Sequence, residues 1–536
     1  MKNINKFLVL MLATVLLSGC NSLDQNPSDA FSEDEFWQSA ERAQMFLNTA
    51  YSGMYSIDNM WSDEVLAGNM ISKRDRSWDE YLIRAGQGTS STTLFSSHWS
   101  WIYSGIKTTN IFIEKVELTT DLTEEERADM VAQARFIRAN HYFRATMLWG
   151  AVPFFLHDIT IDEAAAMPRT DRSEVLAALH TELDEIIDAL PVDWQAETRG
   201  RIRRAAAVML QARIYLFESN WSKVEQLTSE IINGEHGTFE LFNTATPTYS
   251  AYEDLFTSAN EYNDEIILCY SSIENLSTWQ LIDVVPRSAV GSRGAYVTPT
   301  EMLVENYIML DGSNFSLSSG SAYDNRDPRL DATIVRHNSV WRDVADGKET
   351  EQTIVINSTN SDDIDRYEAD NATETGYYLR KWFDPAHTSS LTIFTNPIMM
   401  RYADVLLMNA EAKNENGTFT ESDWNQTIQA IRLRAGFTQA SALTFPSLSK
   451  DEMREVIRVE RRSELAVEGL YYYDILRWKA ADTQLSGTLY SAKYDASTSQ
   501  EAIFQYNFDT NRDYLWAVPQ SQISNWEALL PQNPGY

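Results

Sequence analysis

Cysteine is almost absent: there are two in 536 residues, Cys20 and Cys269. No Cys/His cluster has zinc-ligand spacing. Basic residues are scarce too, 44 Lys and Arg against 77 Asp and Glu, a formal charge of −33. Such an acidic surface repels phosphate backbones, so nucleic acid is not an expected partner. It also disfavours sulfated or strongly anionic polymers, unless a local basic patch intervenes; most of the charge simply confers solubility. Beyond Cys20 no uninterrupted apolar run reaches the ~20 residues that span a bilayer. There is no Gly-x-Ser-x-Gly elbow, no HExxH and no phosphate loop. The carboxylates leave room for a structural calcium ion, but no EF-hand-type spacing indicates one, and no cofactor is expected. Acidic abundance is no argument for catalysis either, since a carboxylate pair at a glycosidase's separation could arise anywhere among 77 acids.

What is present begins at the N-terminus. Lys2 and Lys6 supply positive charge, Phe7 to Leu17 is apolar except for Thr14, and Leu17-Ser18-Gly19-Cys20 closes the segment. This is the order of a secretory signal. Its end resembles a bacterial lipobox, which implies cleavage before Cys20 and a lipid on that residue. The alternatives are an ordinary signal peptide with an incidental cysteine, or a transmembrane helix, for which the run is short. Residues 1–19 are thus read as signal peptide and 20–33 as a lipidated, flexible tether. Cleavage removes Lys2 and Lys6, leaving 42 basic against 77 acidic residues, or −35. With Cys20 lipidated, Cys269 has no partner; the run Glu265 to Tyr270 reads as a buried strand and its thiol as core packing.

Long amphipathic patterns follow. Phe36, Ala40, Ala43, Phe46, Leu47, Ala50 and Tyr51 share one helical face, as do Trp101, Ile102, Gly105, Ile106, Asn110 and Ile113. Thr123 with Glu126 opens another helix in capping-box style, which stops at Gly150 and Pro153. Asp171 to Leu190, Arg201 to Phe217 and Val224 to Ile232 continue as helix, turn, helix. Alanines at close approaches suggest degenerate tetratricopeptide-like hairpins, which must stack to bury their apolar faces. From about 235 to 397 strand-like pieces alternate with Ser/Gly/Asn/Asp-rich loops, the kind of segment that carries binding. Helices return at Arg401 to Glu415, Trp424 to Ala435 and Lys450 to Val467. The fold class is therefore mainly α: one body over 34–536, with helical repeats mainly at 34–234 and 398–480 and a loop-rich mixed α/β insert at about 235–397.

Several segments, in order, resemble the SusD/RagB-like nutrient-binding outer-membrane lipoproteins of Bacteroidota. They are Ala134 to Ala139 with His141-Tyr142-Phe143 and Trp149 to Pro153; Tyr323, Asn325 and Arg326 to Leu330; Arg401 to Met408 with Ala410-Glu411-Ala412; Glu460 to Ala466 with Glu468-Gly469, Asp474 and Arg477-Trp478; and Gln532 to Tyr536. No one motif decides, but the ordered set is specific. One departure is Tyr471-Tyr472-Tyr473, where the family pattern has an arginine near the first position. The resemblance implies a lipid-anchored protein on the outer face of the outer membrane. It would cap a SusC-like TonB-dependent transporter as a hinged lid, bind an oligosaccharide or other nutrient, and catalyse nothing. Helical repeats would face the transporter and the insert would present the ligand.

Most of these motifs read physically as structure. Arg135, Arg138, Glu460, Arg461 and Glu464 sit on helices among opposite charges, where arginine pairs bidentately with carboxylate. Arg326-Asp327-Pro328-Arg329 reads as a proline-fixed turn with flanking ion pairs. Ligand contacts must lie elsewhere. A sugar ring has an apolar C–H face that packs on an aromatic ring and hydroxyls that bond Asp, Asn, Arg or Gln. Four places combine these: Asp58 to Glu64, in the break after the first helix; the polar loop Lys73 to Tyr81; Trp279 with Arg287 and Tyr296; and Trp341 with Tyr367. Trp78, Trp279, Tyr296 and Trp341 are the candidate stacking residues, and Asp63 the candidate hydroxyl acceptor. A glycosidase, a pure scaffold and a binder of a non-glycan nutrient such as peptide remain alternatives. The particular glycan is not readable.

Overall fold

The computed structural model describes residues 33–55, 57–72, 78–246, 249–272, 279–281, 283–290, 295–345, 348–385 and 392–536. Cys20, the tether and Lys73 to Ser77 lie outside them. The principal helices are α1 (Ala40–Met54), α2 (Ile57–Leu66), α3 (Asp79–Arg84), α4 (Thr93–Lys115), α5 (Glu124–Trp149), α6 (Arg172–Ile186), α7 (Arg204–Phe217), α8 (Trp221–Ile232), α9 (Tyr402–Asn416) and α10 (Lys450–Glu464). Neighbours stack in series: α1 on α4, α4 on α5, α5 on α6, α6 on α7, α7 on α8, α8 on α9 and α9 on α10. The chain is mainly helical, with tetratricopeptide-like pairs, as its periodicity indicates.

Local chemistry sets the helix ends. The Thr123 hydroxyl accepts from the Glu126 N–H at 3.2 Å, and the Glu126 carboxylate accepts from the Thr123 N–H at 2.8 Å. Two donors at the start of α5 are thereby satisfied. Gly150 ends the helix at φ 75°. Where α4 crosses α5, a Cβ on Gly105 would lie 2.1 Å from Nε2 of His141, so only glycine allows this approach. The buried Arg138 is held by Glu182 of α6, with Nε donating at 3.1 Å.

The strands form six two-stranded antiparallel pairs among the described residues. Met70–Ser72 pairs with Val297–Pro299, and Trp279–Gln280 with Thr392–Ile393. Ile266–Cys269 is fully buried and its Cys269 thiol is pushed up to about 12, chiefly by burial. One apolar cluster fills the helical stack; a second fills the strand-rich region and takes in Met60 and Val65 of α2. α2 thus lies on the seam between them.

The motif residues meet in a sealed ionic network on that seam. Arg401 pairs with Glu265 at 2.8 Å, Glu464 at 2.6 Å and Glu468 at 2.7 Å. Arg329 pairs with Asp327 at 2.7 Å, Glu460 at 2.7 Å and Glu464 at 3.0 Å. Arg461 joins Asp404 at 2.5 Å to Asp474 at 2.7 Å. Asp327 also caps the short helix Pro328–Thr333. Such a network adds little net stability over an apolar core, but removing one member strands its partners in low dielectric. It fixes how α9 and α10 seat against the strand-rich region. Tyr471, at the departure from the family pattern, lies under the Arg462 guanidinium at 4.3 Å.

Candidate functional site

The segment Asp58 to Glu64 is not a break but part of α2. Ile57, Asp58, Trp61, Ser62 and Val65 fall on one side of that helix at helical spacing and line an open cleft of about 580 Å³. The same turn of helix sends the two acids inward. Asp63, the expected hydroxyl acceptor, is 1% exposed; its Oδ1 and Oδ2 accept from Arg144 Nη2 at 2.9 and 2.8 Å, and Tyr473 Oη donates to Oδ1 at 3.1 Å. Burial pushes its carboxyl up to about 6 against the pull of Arg144. Asp63 is therefore a core ion pair, and Asp58 is the acid that α2 presents to the cleft.

Three other segments complete the cleft. Trp78 stands immediately before α3 and is 38% exposed. Glu80, in the first turn of α3, accepts from the Ser62 hydroxyl at 2.7 Å and so ties α3 to α2. Trp279 enters from its strand pair, its indole N–H donating to the Thr395 carbonyl at 2.9 Å. Its ring lies 6.5 Å from that of Trp61 and 6.3 Å from that of Trp382, so one edge faces the cleft while most of the ring is core. Tyr296 is positioned by its backbone N–H, which donates to the Asp283 carbonyl at 2.8 Å. Trp78, Trp279 and Tyr296, taken from separate parts of the sequence, thus line one cleft with Trp61, Asp58, Glu80 and Asp283.

Trp341 does not join them. It is 1% exposed, on the inward face of the hairpin Ser339–Ala345 with Lys348–Ile354, and packs on Phe383 at 4.2 Å. Strand alternation turns it inward, with Val340 and Arg342 on the other face. Tyr367 donates to Glu501 at 3.3 Å, and Arg287 donates to the Asp370 carbonyl at 2.5 Å; neither lines the cleft. Of the expected polar loop Lys73 to Tyr81, residues 73–77 lie outside the described residues, and Asp79 to Tyr81 are not loop but the first turn of α3. Trp61 was not singled out in the sequence, although a helical reading of 57–66 sets it with Ile57 and Val65.

The cleft offers aromatic surface beside carboxylates and a hydroxyl. That suits a ligand with an apolar face and a rim of donors, and the volume suits a small ligand. The carboxyls with raised affinity for protons lie elsewhere. Burial pushes Glu64 up to about 7, where it accepts from Asn69 Nδ2 at 2.8 Å and the Gly469 N–H at 2.7 Å. Burial likewise pushes Glu301 up to about 7, where it accepts from the Tyr377 hydroxyl at 2.5 Å. Both are sealed in the core. Among the described residues no group of three or more His, Cys, Asp or Glu could hold a metal ion, and no helix is long and apolar enough to cross a membrane.

Comparison with known proteins gives consistent matches along the chain. The SusD family model matches residues 257–536, and a second model, "Starch-binding associating with outer membrane", matches residues 22–216. A SusD-like protein of Formosa agariphila is 25% identical, with 99% of each chain covered. The starch-binding protein SusD of Bacteroides thetaiotaomicron is 23% identical, with 99% of this chain and 98% of that one covered. Among solved structures, a SusD-like carbohydrate-binding protein from Bacteroides fragilis superposes with a TM-score of 0.82 at 25% identity, covering 92% of this chain and 100% of that one.

Proposed function

We propose that this chain, which belongs to the SusD family, is a surface lipoprotein that binds a glycan in the cleft between α2, α3 and the strand-rich region. The observation that carries the reading is the convergence of Trp61, Trp78, Trp279 and Tyr296 with Asp58 and Glu80 from four separate segments. A pyranose packs its C–H face on such rings while carboxylates accept from neighbouring hydroxyls. Relatives named for starch and carbohydrate binding support the ligand class. The Lys2 to Cys20 segment and the outer-membrane description of the second matching family support lipid anchoring at the cell surface. The family's mode of action supports delivery of the glycan, as a lid, to a SusC-like TonB-dependent transporter.

The reading is of a binder without chemistry. Glu64 and Glu301, the acids whose carboxyls are pushed up to about 7, accept hydrogen bonds inside the core, where no substrate reaches. Incubating the purified mature protein with a panel of soluble polysaccharides tests both parts. Retardation on at least one glycan with no released reducing ends is expected. Released reducing ends would make it a glycosidase; no retardation on any glycan would favour a peptide-like nutrient or a scaffold. Co-purification of a TonB-dependent transporter from membranes tests the partner.

A further inference from the structure

The arginines of the α9–α10 network meet carboxylates, but two buried arginines nearby do not. Arg84 is 4% exposed and Arg462 is 7% exposed. Nε and Nη1 of Arg84, Nη2 of Arg462 and the hydroxyl of the buried Tyr506 have no hydrogen-bond partner. These groups share one place. The Asn507 N–H, next to Tyr506, donates to the Arg84 carbonyl at 2.9 Å. Arg462 Nε donates to Asn69 at 2.9 Å, and the Tyr506 hydroxyl lies 3.7 Å from where a Cβ on the adjoining Gly68 would sit. The two guanidiniums face consecutive rings, Arg84 over Tyr472 at 5.5 Å and Arg462 over Tyr471 at 4.3 Å.

We infer that Arg84, Arg462 and Tyr506 form a buried binding site for a small monovalent anion of halide size. Four donors without acceptors call for an acceptor, which water could supply. Two enclosed cations call for negative charge, which water cannot supply. Tyr506 does not supply it as a phenolate, because burial outweighs both arginines and pushes its hydroxyl well above the ordinary range. Burial of all three side chains favours a bare ion over a chain end or a phosphate ester.

The site lies behind the cleft. Arg84 ends α3, the helix that Trp78 precedes, and Asn69 links Arg462 to Glu64 of α2 at 2.8 Å. The anion would therefore stitch together α2, which carries Trp61, and α3, which Trp78 precedes. That consequence rests on the glycan reading of the cleft; the anion site itself does not.

Crystals of the mature protein soaked in sodium bromide test the site directly. An anomalous peak between the Arg84 and Arg462 guanidiniums is expected. In solution at constant ionic strength, bromide or chloride in place of a bulky sulfonate should raise Tm saturably by about 1–2 °C, the effect of tenfold excess over Kd on a chain of this size. Arg84→Leu should abolish that response; should this variant not fold, the bromide experiment on the native chain decides alone. No peak, water-scale density in bromide, or a peak without any Tm response (an adventitious ion only) would overturn the proposal. Glycan affinity is expected to fall a few-fold in the sulfonate. Unchanged affinity with the peak and the Tm response retained would refute the coupling to the cleft and leave the anion site standing, whereas absence of glycan binding in every salt would count against the cleft alone.

Discussion

Replacing Trp78 by alanine separates binding from folding better than any other change in the cleft. The residue is 38% exposed, so truncation opens no core cavity. A tryptophan side chain can bury up to about 250 Å², so the part left for a ligand to cover is roughly 95 Å². At about 25 cal/mol per Å² this sets a ceiling near 2.4 kcal/mol. Incomplete coverage by one sugar ring brings the expected loss to about 1–2 kcal/mol, a 5–30-fold rise in Kd. Titration calorimetry on the best glycan from the panel measures it, with circular dichroism and Tm as folding controls. Trp279 is a poor substitute, because it is 6% exposed and its truncation costs about 3–5 kcal/mol of core packing. An unchanged Kd for Trp78→Ala, at unchanged Tm, would refute the stacking argument.

Four further outcomes follow from the packing, the charges and the N-terminal segment. Burial alone would raise the Glu464 carboxyl, but Arg434, Arg401 and Arg329 hold it well below the ordinary range; Asp404, Glu411 and Glu468 are likewise lowered by their arginines. Stability from these groups is present above the unfolded carboxylate range and is lost as pH falls below about 4. Asp63, Glu64 and Glu301, raised to about 6, 7 and 7, act oppositely, and their contribution is lost as pH rises toward 7. Tm should thus peak between about pH 4 and 5, and a Tm still rising from pH 6 to 8 would contradict the assignment. At that optimum Glu464→Gln should cost about 3–5 kcal/mol, or roughly 3–5 °C for a chain of this length, by calorimetry. Gly105→Ala should destabilise by about 2–3 kcal/mol through the clash with His141, whereas Gly53→Ala, with nothing within 4 Å, should be neutral or gain up to about 1 kcal/mol. Cys20→Ala should leave glycan binding intact but release the protein from the cell surface, as fractionation would show; normal surface retention would contradict lipid anchoring.

Local signals made the helical body legible. Thr123 with Glu126, Gly150 and the alanine-rich faces of α5 and α7 each act within a few residues, so helix limits follow from nearby chemistry. The structural reading of the arginine motifs also followed from sequence, since arginine among many acids on apolar helices has few other uses. α2 was illegible for a physical reason: its buried face carries Asp63 and Glu64, whose partners Arg144 and Gly469 lie 81 and 405 residues away. Without those partners the segment reads as polar loop. Trp341 misled in the converse way, its neighbours Val340 and Arg342 belonging to the outer face of a hairpin. Of the cleft, the residue types were readable, but their convergence was not. Nothing local to Trp78, Trp279 or Tyr296 records that the strand pairing of Met70–Ser72 with Val297–Pro299 brings the two regions together.

A crystal structure of the mature protein with its best-bound oligosaccharide tests the central claim most directly. A sugar ring is expected in the cleft, its C–H face on Trp78 or Trp61 and its hydroxyls within hydrogen-bond distance of Asp58 or Glu80. A sugar bound at another surface, with this cleft occupied only by solvent, would contradict the account.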